Sequence, residues 1–210
     1  MSPAMWGFLG LCLMMTLTPG LDTAMVMRNA LKRGPGSGVL TALGCALGLF
    51  VHAAAVAAGL AAILLRSAAV FEVVRWVGAV VLVVIGVASV VSAVRRSPEP
   101  VENSEKVRVR RGPAFLQGLL TNLTNPKATL FFLSALPQFV RADASATALP
   151  QAMMLAVIAA AFSAVGLSTV GLLAGRARHW VASVKAQRIQ EGAMGAVLIG
   201  LGLKVALDRP

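Results

Sequence analysis

Six apolar stretches, at roughly 4–27, 39–65, 69–94, 113–137, 150–175 and 191–207, leave this chain of 210 residues few ways to fold. Inside a bilayer no water reaches the backbone amides. A run of about 20 apolar residues must therefore satisfy its hydrogen bonds internally, as a helix. Composition points the same way, with 58% hydrophobic residues, 13% charged residues and a mean hydropathy of +0.81. A soluble domain of this size is far less apolar. The expectation is an all-α membrane protein with six transmembrane helices in a single transmembrane domain over 1–210. The first stretch is long and others follow it without a cleavage pattern, so it is read as a retained span.

The formal net charge of +11 does not imply nucleic acid, because the basic residues sit in short loops between apolar segments. Of the 19 Lys and Arg, 13 fall in the loops after spans one, three and five: Arg28, Lys32 and Arg33, then Arg95 to Arg111, then Arg176 to Arg188. Only Arg66, Arg75, Arg141, Lys204 and Arg209 fall on the other side, and Lys127 lies within span four. This positive-inside bias predicts both termini outside and the 95–112 loop in the cytoplasm. That loop mixes proline with alternating charge and reads as a flexible connector between a first half, 1–94, and a second half, 113–210.

Three spans on each side of the connector start on opposite faces of the membrane, so any repeat is inverted. Span one is interrupted at Thr18-Pro19-Gly20 and span four at Thr124-Asn125-Pro126. Proline-broken helices at matching positions of two inverted halves are expected of a secondary transporter with a midplane site. Charges accompany both breaks. Asp22 follows the first, behind a stretch from Pro3 to Leu17 without a charged residue, and Lys127 follows the second. An ionised side chain in hydrocarbon costs several kcal/mol unless it is paired or faces water. Asp22, Pro19, Gly20, Asn122, Asn125, Pro126 and Lys127 are therefore the candidate substrate-binding or coupling residues. For Asp22 the alternative is solvation by headgroups, since an unbroken helix would carry it about 27 Å along the span. For Lys127 the alternatives are pairing with Asp22 or facing a polar cavity.

His52, one turn after Gly48, is either a proton relay or a hydrogen-bonded packing residue. Gly44 and Gly48 form a small-xxx-small face, and such faces serve close helix packing or a homodimer. Cys12 and Cys45 lie apart within apolar spans and read as reduced packing residues. Neither spacing nor composition indicates a metal site, a nucleotide-binding loop or another cofactor, and nothing suggests an enzyme.

At these residues the chain resembles the LysE/RhtB family of bacterial amino-acid exporters, over nearly its whole length. Thr18-Pro19-Gly20-Leu21-Asp22 is similar to a Pro-Gly-Pro-Asp signature. The glycines from Gly34 to Gly48 resemble the series that follows it, and Gly78 to Gly86 resembles the third span. The longest match runs from Gly118 to Ala128 through Asn122-Leu123-Thr124-Asn125-Pro126-Lys127, then Phe131-Phe132 and Leu136-Pro137-Gln138-Phe139. The resemblance implies export of an amino acid or related metabolite across the inner membrane, driven by protons. A metal cation or other small ion is the alternative cargo. Three departures stand out. Leu21 replaces a proline, Leu49 stands where many members carry an acid, and Val81 stands where members usually carry tyrosine.

Overall fold

The computed structural model describes residues 3–18, 20–95, 113–140, 145–174 and 183–207. Pro19, nearly all of the 95–112 connector and both chain ends lie outside these residues. The described chain is helical, without strands: α1 Pro3–Leu17, α2 Leu21–Arg33, α3 Pro35–Arg66, α4 Ala68–Arg95, α5 Ala114–Leu123, α6 Pro126–Ala135, α7 Ser145–Leu172 and α8 Val184–Leu207. A 3-10 turn, Leu136–Gln138, follows α6.

Four helices, α3, α4, α7 and α8, are long and apolar enough to cross a membrane. A fifth span results if α1 and α2, bent by 51° at the break between them, are counted as one. The predicted fourth span is divided into α5 and α6 of 10 residues each, and neither half alone reaches spanning length. Both expected breaks are thus present.

Long helices pair across the halves, α3 with α7 and α4 with α8, while α5 lies along α3. Glycine sets these approaches. A Cβ at Gly86 would stand 2.8 Å from the Gly195 carbonyl oxygen, and one at Gly202 would stand 2.7 Å from that of Ala79. Rising numbers on α8 thus meet falling numbers on α4, so the two helices run antiparallel. Gly44 meets the Phe115 carbonyl and Gly48, one turn later, meets Asn122, so α3 and α5 run parallel; Gly118 meets the Thr41 carbonyl in the same seam. The Gly44-x-x-x-Gly48 face therefore packs within the protein. Around these seams lies a core of Phe8, Leu11, Phe71, Phe132, Leu136 and many alanines, drawn from both halves. Valines from Val73 to Val94 at alternating steps of three and four form an exposed outer stripe on α4. Such a stripe suits contact with lipid.

Candidate functional site

The two breaks place their charged residues at matching positions. Gly20 precedes α2, so Leu21 is its first residue and Asp22 its second. Asn125 caps α6, with Pro126 first and Lys127 second. Proline suits this first position because its missing N–H would have no intrahelical partner there. The Asn125 side chain accepts from the Lys127 amide at 3.0 Å, satisfying one exposed donor of the half-helix. Asp22 is favourable beside the positive end of α2, whereas a lysine at the positive end of α6 opposes the helix dipole. Helix stability does not explain Lys127.

Across the breaks, Asn122 is the central residue. It is fully buried at the end of α5, and its Nδ2 donates to Asp22 Oδ2 at 2.7 Å. This contact fixes the amide orientation, since a flipped amide would put oxygen against the carboxylate. Asn122 reaches this place because position 48 is glycine; a Cβ there would stand 2.9 Å from Asn122 Cβ. Two buried oxygens, Asp22 Oδ1 and Asn122 Oδ1, have no hydrogen-bond partner. Buried acceptors without donors are costly and rare in native proteins.

His52 completes the second break. Pro126 has no N–H to give to the Asn122 carbonyl four residues back. That carbonyl instead accepts from the Asn125 amide at 2.9 Å and stands 3.2 Å from His52 Nε2. A carbonyl only accepts, so Nε2 carries the hydrogen, and Nδ1 faces the Thr129 hydroxyl at 3.5 Å. Thr124 lies outside the site; its hydroxyl donates back to the Leu120 carbonyl at 2.7 Å.

Asp22, Gly20, Asn125 and Lys127 line one cavity together with Thr18, Thr23 and Ser163. Asp22 and Lys127 share it with no hydrogen bond or ion pair between them. Leu49 contributes an apolar wall. The cavity holds about 50 Å3, room for a water or two and far less than the 300 Å3 or more of a typical ligand pocket. Lys127 and Phe131 also line a second, apolar chamber of about 300 Å3 between α4, α6 and α8, walled by Leu82, Ile85, Met194 and Leu198.

One buried cluster has no counterpart among the sequence expectations. Asn29 of α2 donates through Nδ2 to Thr41 Oγ1 of α3 at 2.8 Å and to Gln117 Oε1 of α5 at 3.0 Å. All three are buried, and the Thr41 hydroxyl donates a hydrogen bond to the Ser37 carbonyl at 2.8 Å. Near span ends polar residues are ordinary, so only tertiary packing reveals this cluster.

Residues 13–209 match the sequence model of the LysE type translocator. The chain belongs to the LysE type translocator family. This translocator is therefore a membrane transporter, not an enzyme. It is 28% identical over 207 residues to an uncharacterized membrane protein, YrhP, of Bacillus subtilis, covering 96% of this chain and 97% of that one. It is 28% identical to a leucine efflux protein of Salmonella choleraesuis, covering 96% and 93%. To a homoserine/homoserine lactone efflux protein of Salmonella typhimurium it is 26% identical, covering 93% and 92%. No solved structure matches the translocator.

Proposed function

We propose that this translocator exports an amino acid or related small metabolite across the bacterial inner membrane as a proton-coupled secondary transporter. The reading takes both termini as outside and the 95–112 loop as cytoplasmic. It treats α1/α2 and α5/α6 as broken spans, which with the four long helices gives six spans in two inverted halves of one transporter domain. The observation that carries it is the cavity that the second residues of two half-helices, Asp22 and Lys127, line together, with the buried Asp22 Oδ1 left without a hydrogen-bond partner.

These groups complement a zwitterion. The free Asp22 Oδ1 accepts from an ammonium group. Lys127, at the positive end of the α6 dipole, attracts a carboxylate. The apolar chamber beside Lys127 and Phe131 receives an aliphatic side chain. That chemistry favours leucine-like cargo over a hydroxylated amino acid, and the leucine efflux relative supports the choice. In the coupling step Asp22 holds either the substrate ammonium or a proton. Exchange of one for the other ties export to proton entry. The narrow cavity corresponds to an occluded stage of that cycle, and substrate entry requires the surrounding helices to separate.

Efflux of labelled leucine and homoserine from cells producing wild-type or Asp22→Asn protein at matched abundance tests the reading. The variant retains the hydrogen bond to position 122 but not the charge. Efflux is expected to fall at least about tenfold, as for loss of a charged hydrogen-bond partner. Unimpaired efflux would remove Asp22 from the mechanism. Lys127→Gln is expected to weaken apparent affinity for the same substrate more than it lowers abundance.

A further inference from the structure

A second polar cavity lies away from the helix breaks. It occupies about 400 Å3 between α1, α4, α8 and the turn after α6, and its lining includes Arg75, Gln138, Phe139 and Lys204. Arg75 lies near the start of α4 and Lys204 near the end of α8. These helices are antiparallel, so both cations stand at one end of the bundle. In the proposed orientation that end faces outward.

The polar groups here are incompletely matched. Arg75 Nη1 lies 3.6 Å from Glu72 Oε1, one turn earlier on the same helix, a long and half-exposed pair. Arg75 Nε is buried and has no hydrogen-bond partner. Gln138 is anchored by its Nε2, which donates to the Arg75 carbonyl at 2.8 Å and the Ser134 carbonyl at 3.2 Å. Its Oε1 is thereby held in place, buried and without a donor. A guanidinium edge with a free N–H, a nearby ammonium and one fixed acceptor suit a carboxylate whose neighbouring group donates a hydrogen bond. Guanidinium binds carboxylate with directed, charge-assisted hydrogen bonds. The volume is within the range of small-molecule pockets.

We infer that the Arg75–Gln138–Lys204 cavity is a second binding site, for the carboxylate end of a small α-amido or α-amino acid at the outer mouth of the translocator. The idea that this ligand is the exported amino acid on its way out rests on the transport reading above; the site itself does not. Arg75 and Lys204 hold the carboxylate, and Gln138 Oε1 accepts from the nitrogen on the α-carbon. Outside amino acid bound here would also oppose further release.

N-acetylleucine separates this site from the central one. It keeps a carboxylate and an N–H but has no ammonium for Asp22. Binding of labelled N-acetylleucine is measured on purified full-length protein in nanodiscs of neutral phosphatidylcholine, comparing wild type, Arg75→Gln/Lys204→Gln, Arg75→Lys and Asp22→Asn. The double variant is expected to lose about tenfold or more in affinity, Arg75→Lys to lose less, and Asp22→Asn to bind as wild type. Leucinamide, which lacks the carboxylate, should not compete. Wild-type affinity in a folded double variant, or no saturable binding to wild-type protein, overturns the proposal. Native mass spectrometry after incubation with phosphatidylglycerol supplies the other arm. Retention of that lipid by wild type but not by the double variant, without N-acetylleucine binding, assigns the cations to a lipid phosphate instead and also overturns it. If Asp22→Asn abolishes efflux while N-acetylleucine fails to bind, the transport reading stands and this site falls.

Discussion

Pro126 cannot donate to the Asn122 carbonyl, and His52 supplies a donor from the neighbouring helix in its place. Between proton relay and hydrogen-bonded packing residue, these contacts favour the second role. His52→Leu should then cost about 1–2 kcal/mol through a carbonyl left less well satisfied, seen as a lower melting temperature in detergent. His52→Gln, whose amide still donates, should keep most of that stability and leave efflux intact. Loss of proton-dependent efflux in a stable His52→Gln protein would place the ring in the proton path. Charged and amide residues near this break were legible in the sequence because hydrocarbon makes them expensive, so Asp22, Asn122, Asn125 and Lys127 stood out. The Asn29–Thr41–Gln117 cluster did not. Its members look like ordinary span-end residues, and Gln117 is 88 positions from Asn29. The unpaired N–H of Arg75 Nε was hidden for the same reason.

Among the elements, prolines and glycines announced the breaks, but hydropathy could not show that α5 and α6 are separate helices of 10 residues each. An averaged apolar signal runs straight through Thr124-Asn125. Glycine spacing announced close packing without naming the partner, because a small face fits any helix. The partner matters for prediction. A side chain at Gly118 meets the Thr41 backbone carbonyl, which cannot step aside as a flexible side chain would. Gly118→Val should destabilise the protein by about 1–3 kcal/mol or more and reduce the yield of monodisperse protein in size-exclusion chromatography. Gly59, within the same α3 seam helix, has open space around it. Gly59→Ala should be neutral or slightly stabilising, since alanine favours helix over glycine by about 1 kcal/mol. Equal melting temperatures for the two variants would mean that α3 and α5 do not pack this closely in the membrane.

Over the whole molecule the two halves are alike in sequence of elements but unequal in packing. Taking α1/α2, α3 and α4 as counterparts of α5/α6, α7 and α8, the contact of α3 with α5 corresponds to that of α7 with α1. The first is extensive, sealed by glycine-to-backbone contacts and by Asn29, Thr41 and Gln117. The second is slighter, with Gly166 against the Thr16 side chain as its closest glycine contact. In the proposed inverted pair, exact symmetry would give equal seams, so the difference marks the side that is more tightly shut. In the proposed orientation α3 and α5 both begin at the cytoplasmic face, and their seam is the cytoplasmic gate. Cys45 reports on it, since its thiol lies fully buried in the seam and 3.4 Å from the Gly118 carbonyl oxygen. In inside-out vesicles of a Cys12→Ala protein, a small maleimide should label Cys45 slowly at rest. Labelling should speed up several-fold during turnover with leucine and a proton gradient, because substrate entry must part α3 from α5. Asp22→Asn should abolish the acceleration while leaving the resting rate unchanged. Cys45 protected equally at rest and in turnover would move the gate away from this seam, to the α1–α7 side.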